Sequence, residues 1–340
     1  MTVRAFVHGY DRVGWSIDAD AEYTRRLLKE AGIELTRNPL AADVIHFVWW
    51  NQAMRFRHLR AFSRAKWLAV VTNTIRDDNE AFSKLRSFID CWVGANRAQC
   101  EWLRGEGVVH GYQPFYVDES VFYPRGRTRQ DLCAELGLDY ERLAGRFLIG
   151  SFQRDSLGED LSQYKWQKGP DRLVEVLAAM SVSPNLWCVI LAGPRRHWII
   201  EKLRAAGIPY AFVGEEPRAR EDDAARNTRS RESMALLYDL VDAYVVSSRQ
   251  EGGPKAIVEA SLCRTPVIST RAGFAPDMLG SAALYDEVDE GAGMLARLMS
   301  DSAYRESVTD ANYETVSAIN NRSAAVDRWR TIYRSLVGRL

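Results

Sequence analysis

The chain has no excess of charge of either sign, with 45 Lys and Arg matched by 45 Asp and Glu over 340 residues. Nothing global therefore draws it to nucleic acid or to an anionic membrane; only a local patch could. Cysteine is scarce and unpatterned. The five (Cys91, Cys100, Cys133, Cys188, Cys263) are odd in number, far apart and free of any C-x-x-C. That excludes a disulfide framework and suits reduced thiols in the core of a cytoplasmic protein. There is no H-x-x-x-H and no cysteine cluster with ligand spacing, so neither a metal nor another cofactor is expected. The glycines nowhere form G-x-G-x-x-G, which removes the dinucleotide fingerprint. No apolar run reaches the roughly 20 residues needed to span a bilayer, and the N-terminus enters a strand-like segment, Val3-Arg4-Ala5-Phe6-Val7-His8, without a signal pattern. A cytoplasmic protein, at most peripheral at the inner face of the membrane, is expected.

What is present is α/β text long enough for two domains with a core each. Apolar runs at 3–8, 33–35, 43–49, 67–72 and 89–93 alternate with helix-length segments, the pattern of a parallel sheet covered on both faces. The first of them opens into a glycine-punctuated loop, His8 to Ser16, that contains Gly14. Around 111–129 the text turns aromatic and rich in Pro and Gly, as in an interdomain linker. A second set of runs follows at 147–152, 187–192, 210–213, 242–246, 267–269 and 283–285. The domains read as 1–124, a linker at 125–144, 145–320, and a closing helix at 321–340 with Trp329, Ile332, Tyr333 and Leu336 at helical spacing. Two charged insertions, 155–167 and 215–233, have the character of mobile loops or lids.

The segment Met54 to Trp67 holds Arg55, Arg57, His58, Arg60, Arg64 and Lys66 without one acid. Such a patch suits an anionic lipid surface or a phosphorylated acceptor, and equally a solvated helix face packed on the sheet. Trp49, Trp67, Trp92 and Trp187 fall in strands and suit the core, whereas Trp15, Trp50 and Trp166 fall in loops where they could stack on sugar rings.

The stretch with most chemistry is Ser247-Ser248-Arg249-Gln250-Glu251-Gly252-Gly253-Pro254-Lys255-Ala256-Ile257-Val258-Glu259. It lies between two apolar runs and reads as strand, glycine loop, helix. Pro254 suits the first helical position and Gly253 permits close approach of a ligand to the backbone. The free amides of the helix start form an anion site, where Lys255 makes sense beside a bound phosphate. Glu259 stands roughly 7–8 Å along the helix and Glu251 in the loop before it. Amides flanked by two acids suit a nucleotide sugar, since carboxylates repel phosphate but accept hydrogen bonds from sugar hydroxyls.

Here the residues resemble a known family. Glu251 and Glu259 form an E-x7-E spacing within Glu-Gly-Gly-Pro…Glu-Ala, followed by Thr265-Pro266-Val267-Ile268 and Ala272-Gly273, and this is similar to glycosyltransferase family 4, the glycosyl transferases group 1. Pro114-Phe115-Tyr116-Val117-Asp118 resembles the end of that family's first domain. Gln153-Arg154 and Lys168-Gly169-Pro170-Asp171 resemble its Gly-Arg…Lys-Gly pair, and residues 236–243 resemble the helix and strand before its loop. The resemblance implies a GT-B fold, two Rossmann-like parallel-sheet domains facing across a cleft, with the C-terminal helix crossing back to the first. It implies a retaining, metal-independent hexosyltransferase using a nucleotide-diphosphate sugar and a glycan, lipid-linked or small-molecule acceptor.

By the same resemblance Arg154 and Lys168 grip the donor diphosphate, with Lys165 competing for the second role. Glu259 holds the ribose, and Glu251 with the Gly252 and Gly253 amides holds the transferred sugar. Ser248, Pro254 and Lys255 complete the donor side, and Gly14, Asn73 and His46 fall on the acceptor side or against the sugar. Asn73 stands where family members often carry a histidine; it can hydrogen-bond but cannot titrate. Two other classes stay open at this point: a catalytically silent GT-B protein that binds glycan or nucleotide, and a GT-B sugar-nucleotide epimerase or phosphorylase.

Overall fold

The computed structural model describes residues 2–10, 16–72, 75 and 78–338. The chain divides into two compact units: Met1–Asp118 with Glu251–Gly253 and Ala318–Leu340, and Glu119–Gln250 with Pro254–Ser317.

The first unit is built on β1 (Arg4–His8), β2 (Glu34–Leu35), β3 (Val44–Phe47), β4 (Lys66–Val71), β5 (Cys91–Gly94) and β6 (His110–Tyr112), in the order β2-β1-β3-β4-β5-β6. Every described pairing is parallel. β3 and β5 are buried along their whole length and β4 after its first residue, which is why they read as continuous apolar runs rather than alternating ones. The closing helix, Arg322–Val337, adds Ala325, Val326, Trp329, Ile332 and Tyr333 to the core formed by Val3, Ala5, Leu27 and Leu28. Each large side chain so buried contributes about 1.5–3 kcal/mol. β6 allows the approach: a Cβ at Gly111 would stand 2.7 Å from Cγ1 of Ile332. The helix is fastened at its start, where Asn320 accepts from Val117 N at 2.9 Å and donates to Val117 O at 2.8 Å.

The second unit carries β7 (Phe147–Ser151), β8 (Trp187–Ala192), β9 (Tyr210–Val213), β10 (Ala243–Val246), β11 (Val267–Thr270) and β12 (Leu284–Tyr285), ordered β12-β11-β10-β7-β8-β9 and again parallel in every described pairing. The stretch 125–144, expected as a linker, is the opening of this unit. Thr128 caps the helix Arg129–Leu136, and Gly137 ends it in the left-handed conformation at φ 71°. Arg129 holds both oxygens of Asp242 at 2.7 Å, and the Arg125 amide donates to Asp239 at 3.1 Å.

The two charged insertions are anchored rather than lid-like. Asp155 and Arg196, both fully buried, pair at 2.6 Å. The helix His197–Ala205 has no side-chain cap of its own. Its first amides are met from 155–167, by Ser156 Oγ on Trp198 N at 3.1 Å and Asp155 Oδ1 on Ile199 N at 3.5 Å. The segment 215–233 is tied to the same corner, with Arg195 pairing with Asp222 at 2.7 Å and its amide donating to Asp223 at 2.8 Å. Charges in segments that read as mobile in sequence are here held in ion pairs.

The basic segment has the form of a helix face packed on the sheet, with Met54, Phe56 and Leu59 against the core around Phe47 and Trp67. It forms a 3-10 helix, Trp50–Ala61, with only Trp50, Gln52 and Ala53 buried. Trp50 is therefore a core residue, not a sugar platform. Arg60 is structural as well: it pairs with Asp90 at 2.9 Å, donates to Ala65 O and lies over the Trp67 ring. Phe62, by contrast, is 80% exposed.

Candidate functional site

The glycine loop joins β10 to the helix Lys255–Leu262. It lies at the carboxyl end of a parallel strand, where open α/β sheets bind ligands. Pro254 stands one position earlier than expected, as the N-cap, and no side chain caps the helix. The Ile257 amide turns back to Pro254 O at 2.9 Å, and the positive end of the helix dipole is what suits an anion there. Neither Gly252 nor Gly253 has a positive φ, so backbone freedom is not what selects them. Grouped with the first unit, Gly252 lies against the Thr72 carbonyl oxygen, which a Cβ would overlap, and its own carbonyl accepts from Asn96 Nδ2 at 2.8 Å. Glu251 in the loop and Lys255 in the first helical turn are half-buried.

Glu259, one turn into the same helix, is half-buried, and its Oε2 accepts from the Tyr238 hydroxyl at 2.8 Å. Tyr238 is buried in an aromatic group with Phe122, Phe152 and Tyr244. Burial, and then the neighbouring Glu259 carboxylate, hold its pKa well above the ordinary tyrosine value, so it stays a donor.

Of the two cations expected on the diphosphate, Lys168 meets the β10 end through its backbone carbonyl, and Arg154 stands next to Gln153, whose side chain reaches the same place. Arg154 follows β7 and is half-buried. Lys168 ends a 3-10 turn, Trp166–Lys168, and is followed by Gly169 at φ 56° and the helix Pro170–Ala178. Gly169 admits no side chain, since a Cβ there would overlap the Ser247 carbonyl oxygen. Gln153 Nε2 donates to Lys168 O at 2.9 Å and to Ser247 Oγ at 3.1 Å, and the Ser247 hydroxyl donates to Lys168 O at 3.2 Å. Ser248 is fully buried and its hydroxyl turns to Gln153 Oε1 at 3.4 Å, so it serves the framework and not the ligand face. The Arg249 and Gln250 amides both donate to Gln167 O, at 2.8 and 3.2 Å. Arg249 grips Asp171 with two bonds of 2.7 and 2.6 Å and lies over the 47%-exposed Trp166 ring. Lys165 is held through its amide to Asp155 O at 2.6 Å.

The second unit therefore brings together the neighbourhoods of Arg154, Lys168 and Ser248, while the expected acceptor side is not assembled in the same way. Gly14, Asn73 and Trp15 lie outside the described residues. His46 is fully buried in β3, its Nδ1 3.0 Å from the Tyr333 hydroxyl and its ring beside Trp329. It fastens the closing helix and cannot meet a sugar, because no face of it reaches solvent. His8, at the end of β1, is buried against Phe56 and Tyr10. A cavity of about 690 Å³ lies beside the edge strand β9, lined by Arg142, Arg146 and Cys188. Its lining takes in the start of β8, most of β9 and none of the motif residues. Gln153 is the site residue that sequence reasoning passed over; it was visible only as the neighbour of Arg154.

Residues 161–301 match the family model described as Glycosyl transferases group 1. No curated protein matches the chain in sequence. Among solved structures the chain is similar to sucrose-phosphate synthase from Thermosynechococcus elongatus, with a TM-score of 0.74 at 16% identity over 99% of this chain and 100% of that one. It is equally similar to HepE of Anabaena in complex with UDP and glucose, at 0.74 and 14% over 99% and 100%. An α,α-trehalose-phosphate synthase (UDP-forming) from Burkholderia xenovorans in complex with glucose-6-phosphate follows at 0.64 and 16% over 96% and 80%. The chain has the GT-B fold, with two Rossmann-like units. In sequence it is similar to glycosyl transferases group 1 over residues 161–301, the span that holds Lys168, Glu251 and Glu259.

Proposed function

We propose that the chain is a retaining glycosyltransferase that moves a hexosyl-type sugar from a nucleotide-diphosphate sugar to a glycan, lipid-linked or small-molecule acceptor without a metal. The observation that carries this reading is the hydrogen-bonded junction of Gln153, Lys168 and Ser247, which sets the Arg154 and Lys168 segments beside the strand end that feeds the glycine loop. In such a transfer positive charge grows on the sugar and negative charge on the departing diphosphate. Arg154, Lys168 and the amides before the helix Lys255–Leu262 stabilise the latter, and two side-chain cations supply what a divalent ion would. Glu259 accepts from the ribose hydroxyls, while Glu251 with Gly252 and Gly253 holds the transferred sugar. No protein nucleophile is assigned; the departing diphosphate takes the acceptor proton.

The similarity to HepE, solved with UDP and glucose, makes a uridine donor the first to try. Gly14 and Asn73 are assigned to the acceptor side on sequence grounds. Arg55, Arg57 and Arg64, with exposed Phe62 beside them, suit an anionic lipid surface or a lipid-linked acceptor. Thermal-shift titration with UDP-, GDP-, ADP- and dTDP-glucose tests the donor half, since a ligand that binds only the folded state raises its melting temperature. One of the four is expected to stabilise the protein, and the Glu259→Ala variant to lose that response. A flat response to all four in the native protein would count against the reading.

A further inference from the structure

Lys168 can serve a diphosphate only if its loop is held in one place, yet it ends a 3-10 turn and precedes a left-handed glycine, neither of which fixes a side chain. The loop is held at its start by the Lys165 amide on Asp155 O at 2.6 Å, and beyond that by residues 247–250. Gly169 is packed on the Ser247 carbonyl with no room for a Cβ, Gln167 O accepts from two amides, and Asp171 is held by Arg249. These last contacts join the loop to the end of β10. Gln153 ties that junction to the end of β7, where Arg154 is: its single amide group reaches Lys168 O, Ser247 Oγ and Ser248 Oγ at 2.9, 3.1 and 3.4 Å. Its NH₂ supplies two donors in fixed planar geometry and its oxygen an acceptor, so the three contacts use both ends of the amide at once.

We propose that Gln153 is a positioning residue that sets the spacing between Arg154 and Lys168, so that both cations meet one diphosphate. It touches no substrate. A carboxylate in its place could not donate, and an apolar side chain of similar length would fill the space but leave the Lys168 carbonyl and Ser247 hydroxyl without that partner. The proposal rests on the donor role given to Arg154 and Lys168, so the experiment separates the two.

UDP, GDP, ADP and dTDP are titrated calorimetrically against the native protein, and the tightest is carried into Gln153→Met, Lys168→Ala, the double variant and Ser247→Ala, with urea midpoints measured in parallel. Gln153→Met is expected to weaken nucleotide affinity roughly 3- to 30-fold, the loss of one to two net hydrogen bonds, while its urea midpoint stays close to native. Ser247→Ala, which keeps the Gln153 to Lys168 bond, should lose less. The diagnostic is non-additivity: in the Lys168→Ala background, Gln153→Met should retain less than half of its effect, because a brace has nothing left to position. Full additivity, or native affinity in Gln153→Met, would overturn the brace while leaving the donor site standing. If Lys168→Ala itself binds like native, the underlying donor assignment falls with it.

Discussion

The Tyr238 hydroxyl donates to Glu259 Oε2 across 2.8 Å, from a ring that is 1% exposed. One residue sits in the helix before β10 and the other in the helix after it, so the bond fixes the carboxylate against the aromatic core rather than against its own helix. In the proposed donor site a carboxylate held in this way would offer the ribose hydroxyls a preorganised acceptor. Tyr238→Phe keeps the ring and removes the donor. Donor KM should rise about 3- to 10-fold with kcat nearly unchanged, in keeping with the loss of one net hydrogen bond. A fall in kcat at constant KM would place Glu259 in the chemical step instead.

Asp155 and Arg196 form the one ion pair among the described residues in which both side chains are 0% exposed. Removing one partner leaves a buried charge uncompensated, which typically costs about 3–5 kcal/mol. Arg196→Met is therefore expected to lower urea stability by that order. Arg196→Met with Asp155→Leu should recover part of the loss, because an apolar pair of similar volume leaves no lone charge. A double variant as unstable as the sum of the two single ones would mean that the pair is not coupled.

Burial, with the Arg25 charge adding to it, pushes the His46 pKa from 6.5 down to about 3. The folded value lies below the unfolded one, so between these limits the unfolded chain holds a proton that the folded chain lacks. Stability should fall as pH drops below about 6.5, by up to about 1.4 kcal/mol per pH unit from this residue alone. His8, lowered to about 4 by burial and then by Arg55 and Arg25, acts in the same direction. Urea midpoints from about pH 7 to about pH 5 should decline less steeply in His46→Phe than in the native protein. Parallel declines would remove His46 as a source of acid sensitivity.

Neutralising Arg55, Arg57 and Arg64 together should weaken sedimentation with phosphatidylserine vesicles, each cation near such a surface contributing about 1 kcal/mol. Arg60 is left in place because Asp90 already holds it. Vesicle binding equal to native would assign this face to bulk solvent.

The strands were legible because a sheet buried on both faces leaves uninterrupted apolar runs, and all six strands of the second unit lie close to where those runs predict them. β6 was not, since His110-Gly111-Tyr112 is a three-residue edge strand whose glycine answers to Ile332 on a helix more than two hundred positions away. The 155–167 and 215–233 insertions read as mobile for a related reason: sequence shows their charges and not the Arg195–Asp222 and Arg196–Asp155 pairs that consume them. In the site, Arg154, Lys168 and the Glu251–Glu259 block stood out through their motifs. Gln153 did not, because a side chain that bonds a backbone carbonyl leaves no pattern in residue types. His46 misled because a polar residue in an apolar strand looks the same whether it faces a ligand or a buried tyrosine.

The central claim is that Arg154 and Lys168 stabilise the diphosphate as it leaves a nucleotide sugar. Its most direct measurement follows release of nucleoside diphosphate together with the anomeric configuration of the new glycoside, in the native protein and in the Arg154→Ala, Lys168→Ala double variant. Stoichiometric diphosphate and glycoside with retained configuration are expected in the native protein, and turnover reduced at least about 100-fold in the variant, the order typical of losing one such electrostatic contact. Native turnover in the double variant, or an inverted product, would contradict it.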